Sequence, residues 1–272
     1  MTALSPPAAL DIEPASATAL LGGQATTFCH RLEGHPLLTL DALAGTARRL
    51  PPSWVNCYGG GDRTPGSYPT PSEVLGGLER GGPSVRLFHL EHVPGFRALL
   101  GSVIADLDST VGFPGRSPGD GVAFVSPPGM TGPMHCDHHH NLLLQVQGTK
   151  EVTLGYFDDP SVAQRQVERS LGERQGQLPP TSRTTRVLLR PGDGVYIPPF
   201  TFHAVSVLDD ISVALSCAVS TPETRRDVLV HSLNHHLRGW RLPATAPGRS
   251  PALDRVKTAA VRVSRRTRSR SR

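Results

Sequence analysis

Between Gly121 and Ser220 the chain strings together short apolar or β-branched runs, each cut off by glycine, proline or polar residues: VAFV, NLLLQV, EVTLGYF, TTRVLLR, GVYIPP, HAVSVL and ISVALSCAVS. Seven such runs in about 100 residues predict a β-sandwich or barrel. One segment breaks the rhythm, PSVAQRQVERSLGER (Pro160 to Arg174), whose spacing predicts a helix followed by a polar loop. Helices are also predicted outside the strand-rich part. HPLLTLDALAGTARRLP (His35 to Pro51) and FRALLGSVIADLDSTVG (Phe96 to Gly112) have helical apolar spacing, the first with a proline stop. In PETRRDVLVHSLNHHLRGWRL (Pro222 to Leu242), Val228, Leu229, Leu233 and Leu237 share a helical face that should pack on the core or on a second copy of the chain, the route by which a homodimer could form.

The expected architecture is mainly β with flanking N-terminal and C-terminal helices. With 272 residues, 38% of them hydrophobic, one substantial core is expected. The predicted boundaries are a disordered, Ala/Pro-rich segment over 1–24 and a single domain over 25–243. Within that domain the barrel core spans about 120–221 and the C-terminal helix about 222–242, and a basic disordered tail covers 244–272. The net charge of +5 belongs to that tail: the stretch from Asp254 holds eight of the 28 basic residues and one of the 23 acidic ones, so the remainder is slightly acidic. A nucleic-acid partner is therefore not expected, despite the run VRVSRRTRSRSR. No apolar run is long enough to span a membrane, and the N-terminal stretch carries Asp11 and Glu13 where a secretory signal would be basic. Cys29, Cys57, Cys136 and Cys217 form no C-x-x-C pair and read as free thiols in a reducing compartment, so a cytoplasmic location is expected.

Chemistry concentrates in HCDHHH, residues 135–140. On an extended strand His135 and Asp137 leave the same face while Cys136 points away, so two donors could share one ion. A third must come from elsewhere, and His203, in RPGDGVYIPPFTFHAVSV, is the candidate. Two imidazoles and one carboxylate, with positions left open, suit a non-haem iron(II) oxygenase. His138 and His140 have the opposite parity; His139 shares that of His135 and could reach a pocket, though a surface histidine is the simpler reading. Lys150 draws notice because only it and Lys257 are lysines among 28 basic residues. A flexible ammonium at the end of a hydrophobic hairpin could reach along a barrel interior to a carboxylate, or simply sit in water.

HCDHHHNLLLQVQGTK together with PGDGVYIPPFTFH resembles the cupin-like, Jumonji-C type iron(II)/2-oxoglutarate oxygenases, a group that includes the asparaginyl hydroxylase inhibiting hypoxia-inducible factor. The shared pattern is H-x-D, Asn141, Q-x-x-G-x-K ending at Lys150, and G-D-x-x-Y-I-P-x-x-x-x-H ending at His203. HPLLTLDALAGTARRLP, LFHLEHVPGFRALL and HHLRGWRLPATAPGRSPALDRVK resemble shared segments of a bacterial cupin-like subgroup. The resemblance implies a double-stranded β-helix (jelly roll), with His135, Asp137 and His203 as Fe(2+) ligands. It implies Lys150 on the distal carboxylate of 2-oxoglutarate, with Asn141 and Thr131 lining the cosubstrate pocket. Thr131 lies four residues before His135 where the family often has a hydroxyl three before, and Ser216 falls near an asparagine position of the asparaginyl hydroxylase. The implied activity is a dioxygenase that hydroxylates a peptide or protein side chain or a small natural product. The alternative is a cupin-like protein that binds metal without catalysis. Tyr58 to Thr70 and Leu171 to Ser182 are the loops expected to set specificity.

Overall fold

The computed structural model describes residues 8–58, 83–172 and 180–270. All seven predicted runs are strands: β5 (Asp120–Ser126), β7 (His140–Gln147), β8 (Lys150–Tyr156), β9 (Arg183–Leu189), β10 (Asp193–Ile197), β11 (Phe202–Val207) and β12 (Ser212–Val219). They are joined by β1 (Leu10–Asp11), β2 (Thr26–His30), β3 (Val55–Tyr58), β4 (Ser84–Leu87) and β6 (His135–Cys136). Every pairing is antiparallel, in one sheet ordered β1-β2-β10-β7-β12-β5-β4-β3 and a second ordered β6-β11-β8-β9. This is a jelly roll with flanking helices.

The side-chain alternation of each strand decides what lies between the sheets. Leu143 of β7, Val195 and Ile197 of β10 and Ala214 of β12 meet Val152 and Leu154 of β8 and Leu189 of β9 in one buried cluster. The opposite parity on the larger sheet, with Leu142, Leu144, Val213, Leu215 and Cys217, packs into a second core. There it meets α3 (Pro94–Thr110), which follows α2 (Leu40–Ala47) in the chain, through Leu99, Leu100, Val103 and Ile104. Strands buried on both faces read as continuous apolar runs, which is why NLLLQV shows no alternation.

The turn from β7 to β8 is held tightly. Gly148 has φ +68°, and a Cβ there would meet the carbonyl oxygen of Ile211 at 2.5 Å. The buried Gln145 amide donates to the Gln147 and Gly148 carbonyls and to the Ser212 hydroxyl. Gly148→Ala should therefore cost about 1–3 kcal/mol from backbone strain alone, read in urea denaturation. A loss within about 0.5 kcal/mol, typical of neutral surface changes, would show that the turn yields freely.

Three expectations need correction. The N-terminal 24 residues are not disordered where they are described: β1 pairs with β2, α1 spans Pro14–Leu21, and Leu10 and Leu20 are in the core. The Asp106 carboxylate accepts the Ala9 and Leu10 backbone N–H groups. An alanine-rich sequence looked unable to order itself, but β1 packs on α3 and α1 packs on β2. The basic tail contains a helix over Pro251–Arg270, named α6 here after α4 (Pro160–Gly172) and α5 (Pro222–Gly239). Asp254 and Lys257 are buried on one face while Arg255 and Arg262 stay in solvent. The Lys257 ammonium donates to Asn234 Oδ1 (2.7 Å) and the Thr245 carbonyl (2.8 Å), so a charged segment is ordered by polar satisfaction, which composition does not display. In α5 the buried face runs through Thr224, Leu229, Val230, His231 and Asn234, keeping Leu229 of the predicted stripe and leaving Val228, Leu233 and Leu237 half-buried. It is rotated because α5 packs on α4 and α6 within the chain and buries Asn234 to serve Lys257. Among the described residues, no helix is long and apolar enough to cross a membrane. Residues 59–70 and 173–179 of the two expected specificity loops lie outside the described residues.

Candidate metal centre and its cavity

The β6–β11 pairing sets His135 directly opposite His203, with their ring centroids 4.3 Å apart. Asp137, one residue past β6, brings Oδ2 to 3.7 Å from His203 Nε2. The backbone N–H of Phe200 donates to the Asp137 carbonyl (2.6 Å), tying the loop before β11 to the H-x-D segment. Phe200 adopts φ +63°, a strained conformation for a bulky residue, which the PPF turn imposes just ahead of the histidine. One donor atom from each of His135, Asp137 and His203 falls within 4.8 Å of the others.

The donors have the chemistry a divalent ion needs. His135 Nδ1 faces the Pro133 carbonyl at 2.9 Å and His203 Nδ1 faces the Thr201 carbonyl at 3.0 Å. A carbonyl can only accept, so each Nδ1 carries the proton and each Nε2 keeps its lone pair. Burial pushes the His203 imidazole pKa down, as does neighbouring His135. Cys136 points away as predicted, with its sulfur 3.2 Å from the Ser170 hydroxyl on α4.

These three residues line a cavity of about 350 Å³ between the sheets. Lys150, in phase with Val152 and Leu154, faces into it and is only 2% exposed. The register pairs Leu154 with His203 and Val207 with Lys150, four residues further along. The root of Lys150 is thus about 13 Å down the barrel from the histidine pair, at about 3.3 Å per residue. No carboxylate among the described residues pairs with it. Burial, reinforced by the charge of Arg86, pushes its pKa down to about 8.

Arg86 was not singled out from sequence. It stands on β4 opposite Phe124, its guanidinium lies 3.8 Å from the Tyr58 ring centroid, and Arg86, Phe124 and Tyr58 all line the cavity. SVRL is a run of four residues whose role depends on pairing with a strand more than 30 positions away. The only local signal was a charged residue within an apolar run. Among the described residues neither cation pairs with an acid, which makes this end of the cavity receptive to an anion.

Asn141 also lines the cavity, and the Ser216 hydroxyl donates to its Oδ1 (2.7 Å). Thr131 does not line it: the side chain is exposed and the residue forms an isolated bridge with Ser206. Its neighbours Met130 and Gly132 line the wall instead, so the parity of this extended segment turns Thr131 outward. His139 does line the cavity, with Nδ1 2.7 Å from the Ser220 hydroxyl. His140 turns to the other face of its sheet, where Nδ1 is 2.8 Å from the Tyr196 hydroxyl and burial lowers its pKa to about 4.

A jelly roll carrying a His-x-Asp…His cluster inside its barrel defines a cupin-type architecture. Residues 96–217, a little under half of the chain, match the family described as the cupin-like domain. The chain also resembles two solved structures of YcfD from Escherichia coli. One is an X-ray structure at TM-score 0.50 and 16% identity, with 88% of this chain and 63% of that one covered. The other is described as a ribosomal oxygenase in complex with cobalt and 2-oxoglutarate, at TM-score 0.51 and 18% identity, with 94% and 67% covered. At such identities the likeness is one of fold, and the chain spans about 63% of the length of the first. No curated protein matches the sequence.

Proposed function

We propose that the chain is an iron(II)- and 2-oxoglutarate-dependent oxygenase that hydroxylates a peptide or protein side chain or a small natural product. His135, Asp137 and His203 are the iron ligands in this reading. Lys150, with Arg86 beside it, receives the far carboxylate of 2-oxoglutarate. One observation carries it: a His-Asp-His cluster and two cations that have no acid partner among the described residues face the same cavity. A protein that merely held a metal would have no use for the second feature, since a buried, unpaired ammonium is costly. The fold shared with a ribosomal oxygenase that binds 2-oxoglutarate supports the same reading and favours a protein substrate.

Iron at this site supplies the oxidation that couples oxygen reduction to decarboxylation of 2-oxoglutarate and hydroxylation of a C–H bond. The chain supplies placement. His135 and His203 present Nε2 lone pairs fixed by their carbonyl contacts, and Asp137 contributes the balancing negative charge. Lys150 and Arg86 orient the cosubstrate, while Leu143, Val205 and Phe124 keep water from the space between. Asn141, its oxygen taken by Ser216, has its amide N–H groups left to donate. The test is iron-dependent conversion of 2-oxoglutarate to succinate without added substrate, lost in His203→Ala; conversion unaffected by that change would refute the assignment.

The pH dependence follows from Lys150. Above about 8 the free protein holds it neutral, so anion binding must bring in a proton. The apparent Kd for 2-oxoglutarate should rise about tenfold per pH unit above that point. Calorimetry in buffers of different ionisation enthalpy would detect the proton uptake, and a flat Kd from pH 7 to 9.5 would remove Lys150 from the anion site.

A further inference from the structure

A second group of metal-type donors lies outside the cavity, on the turn between β4 and α3: His89, Glu91 and His92. Glu91 Oε1 is 3.4 Å from His89 Nδ1 and also 3.4 Å from His92 Nε2. That spacing is long for a charge-assisted hydrogen bond, which closes to about 2.7–2.9 Å. It equals the edge of a tetrahedron with metal–ligand bonds of about 2.0–2.1 Å, which is about 3.3–3.4 Å.

The surroundings hold this arrangement in place. The other carboxylate oxygen, Oε2, accepts the Gly121 backbone N–H at 3.0 Å, which aims Oε1 at the two imidazoles. The Trp54 ring packs against both histidines, its centroid 5.0 Å from His89 and 5.5 Å from His92. His89 adopts φ +59°, a left-handed conformation uncommon for a residue with a Cβ, and this folds its ring back toward Glu91. No arginine or lysine among the described residues pairs with the Glu91 carboxylate. Both histidines are more than half exposed, which leaves room for water to complete the coordination shell.

We propose that His89 Nδ1, Glu91 Oε1 and His92 Nε2 form a second divalent-metal site, for zinc or its borderline neighbours copper and nickel. Two imidazoles exclude magnesium and calcium, which demand oxygen ligands. The site is separate from His135, Asp137 and His203, and does not depend on the activity assigned to them. It would fasten the β4–α3 turn to the start of β5 through Gly121, next to Asp120, which lines the main cavity.

Trp54 makes the site directly readable, because the chain has only two tryptophans and Trp240 can be changed to phenylalanine. In that full-length Trp240→Phe protein, Cu2+ should quench Trp54 fluorescence saturably within two equivalents, one for each donor cluster. Zn2+, which does not quench, should restore the emission by competition, and Mg2+ should not. His92→Ala should abolish the saturable quenching. So should Glu91→Gln, which keeps an oxygen for the Gly121 N–H and covers the case in which the alanine variant fails to fold. Asp137→Ala should leave the quenching intact. Absence of saturable quenching in the parent protein, its survival in Glu91→Gln, or its loss in Asp137→Ala would each overturn the proposal.

Discussion

Lys150→Met should make the ligand-free protein more stable while removing its ability to bind 2-oxoglutarate. Burial and the nearby Arg86 charge lower the Lys150 pKa from 10.5 to about 8. Because the group is fully buried, that shift corresponds to a folding penalty on the order of 3 kcal/mol when the lysine is charged. The sign follows from proton binding. Between about 8 and 10.5 the unfolded chain holds the proton and the folded chain does not, so stability rises with pH across this window. Below about 8 both states are charged and the full penalty applies. Methionine has a stem of similar length and no charge to desolvate, so the gain should be seen at pH 7 in urea denaturation and fade towards pH 10.5. Once loaded with metal, the wild-type protein should gain further stability on adding 2-oxoglutarate, and the metal-loaded variant should not. A variant less stable than wild type at pH 7 would mean that the ammonium is already satisfied in the free protein, and the case for an anion site would fail.

Asp137→Ala should lower iron-dependent turnover of 2-oxoglutarate by far more than the 10–100-fold typical of losing an outer hydrogen bond to a ligand, that is by at least about 100-fold. The change removes one donor and the only negative charge among the three, leaving two neutral imidazoles. It should leave the fold intact, because the Asp137 side chain is 42% exposed and its structural contact, the Phe200 N–H, goes to the backbone carbonyl. Succinate production within tenfold of wild type, in a protein with normal circular dichroism, would exclude Asp137 from the centre.

The His-Asp-His cluster was legible because period-two geometry and one turn motif determine it. His135 and Asp137 share a strand face by parity, and the β6–β11 register delivers His203 opposite. Lys150 was legible for a related reason, being rare in composition and in phase with Val152 and Leu154. Arg86 was not, since only the pairing of β4 with β5 across an intervening helix brings it beside Lys150. Thr131 shows the converse: closeness in sequence to His135 suggested a role, and strand parity turned it to solvent. The ends of the chain were misread because order there comes from specific partners, Asp106 for Ala9 and Leu10, and Asn234 for Lys257. Composition carries no trace of such contacts.

Whether the barrel holds iron and 2-oxoglutarate together is decided by anaerobic absorption spectroscopy of the iron(II)-loaded protein. Adding 2-oxoglutarate should produce a new charge-transfer band that saturates at one equivalent per chain, absent from His203→Ala and greatly weakened in Lys150→Met. If iron binds tightly and 2-oxoglutarate leaves the spectrum unchanged, the barrel holds a metal without the cosubstrate and the oxygenase reading is wrong.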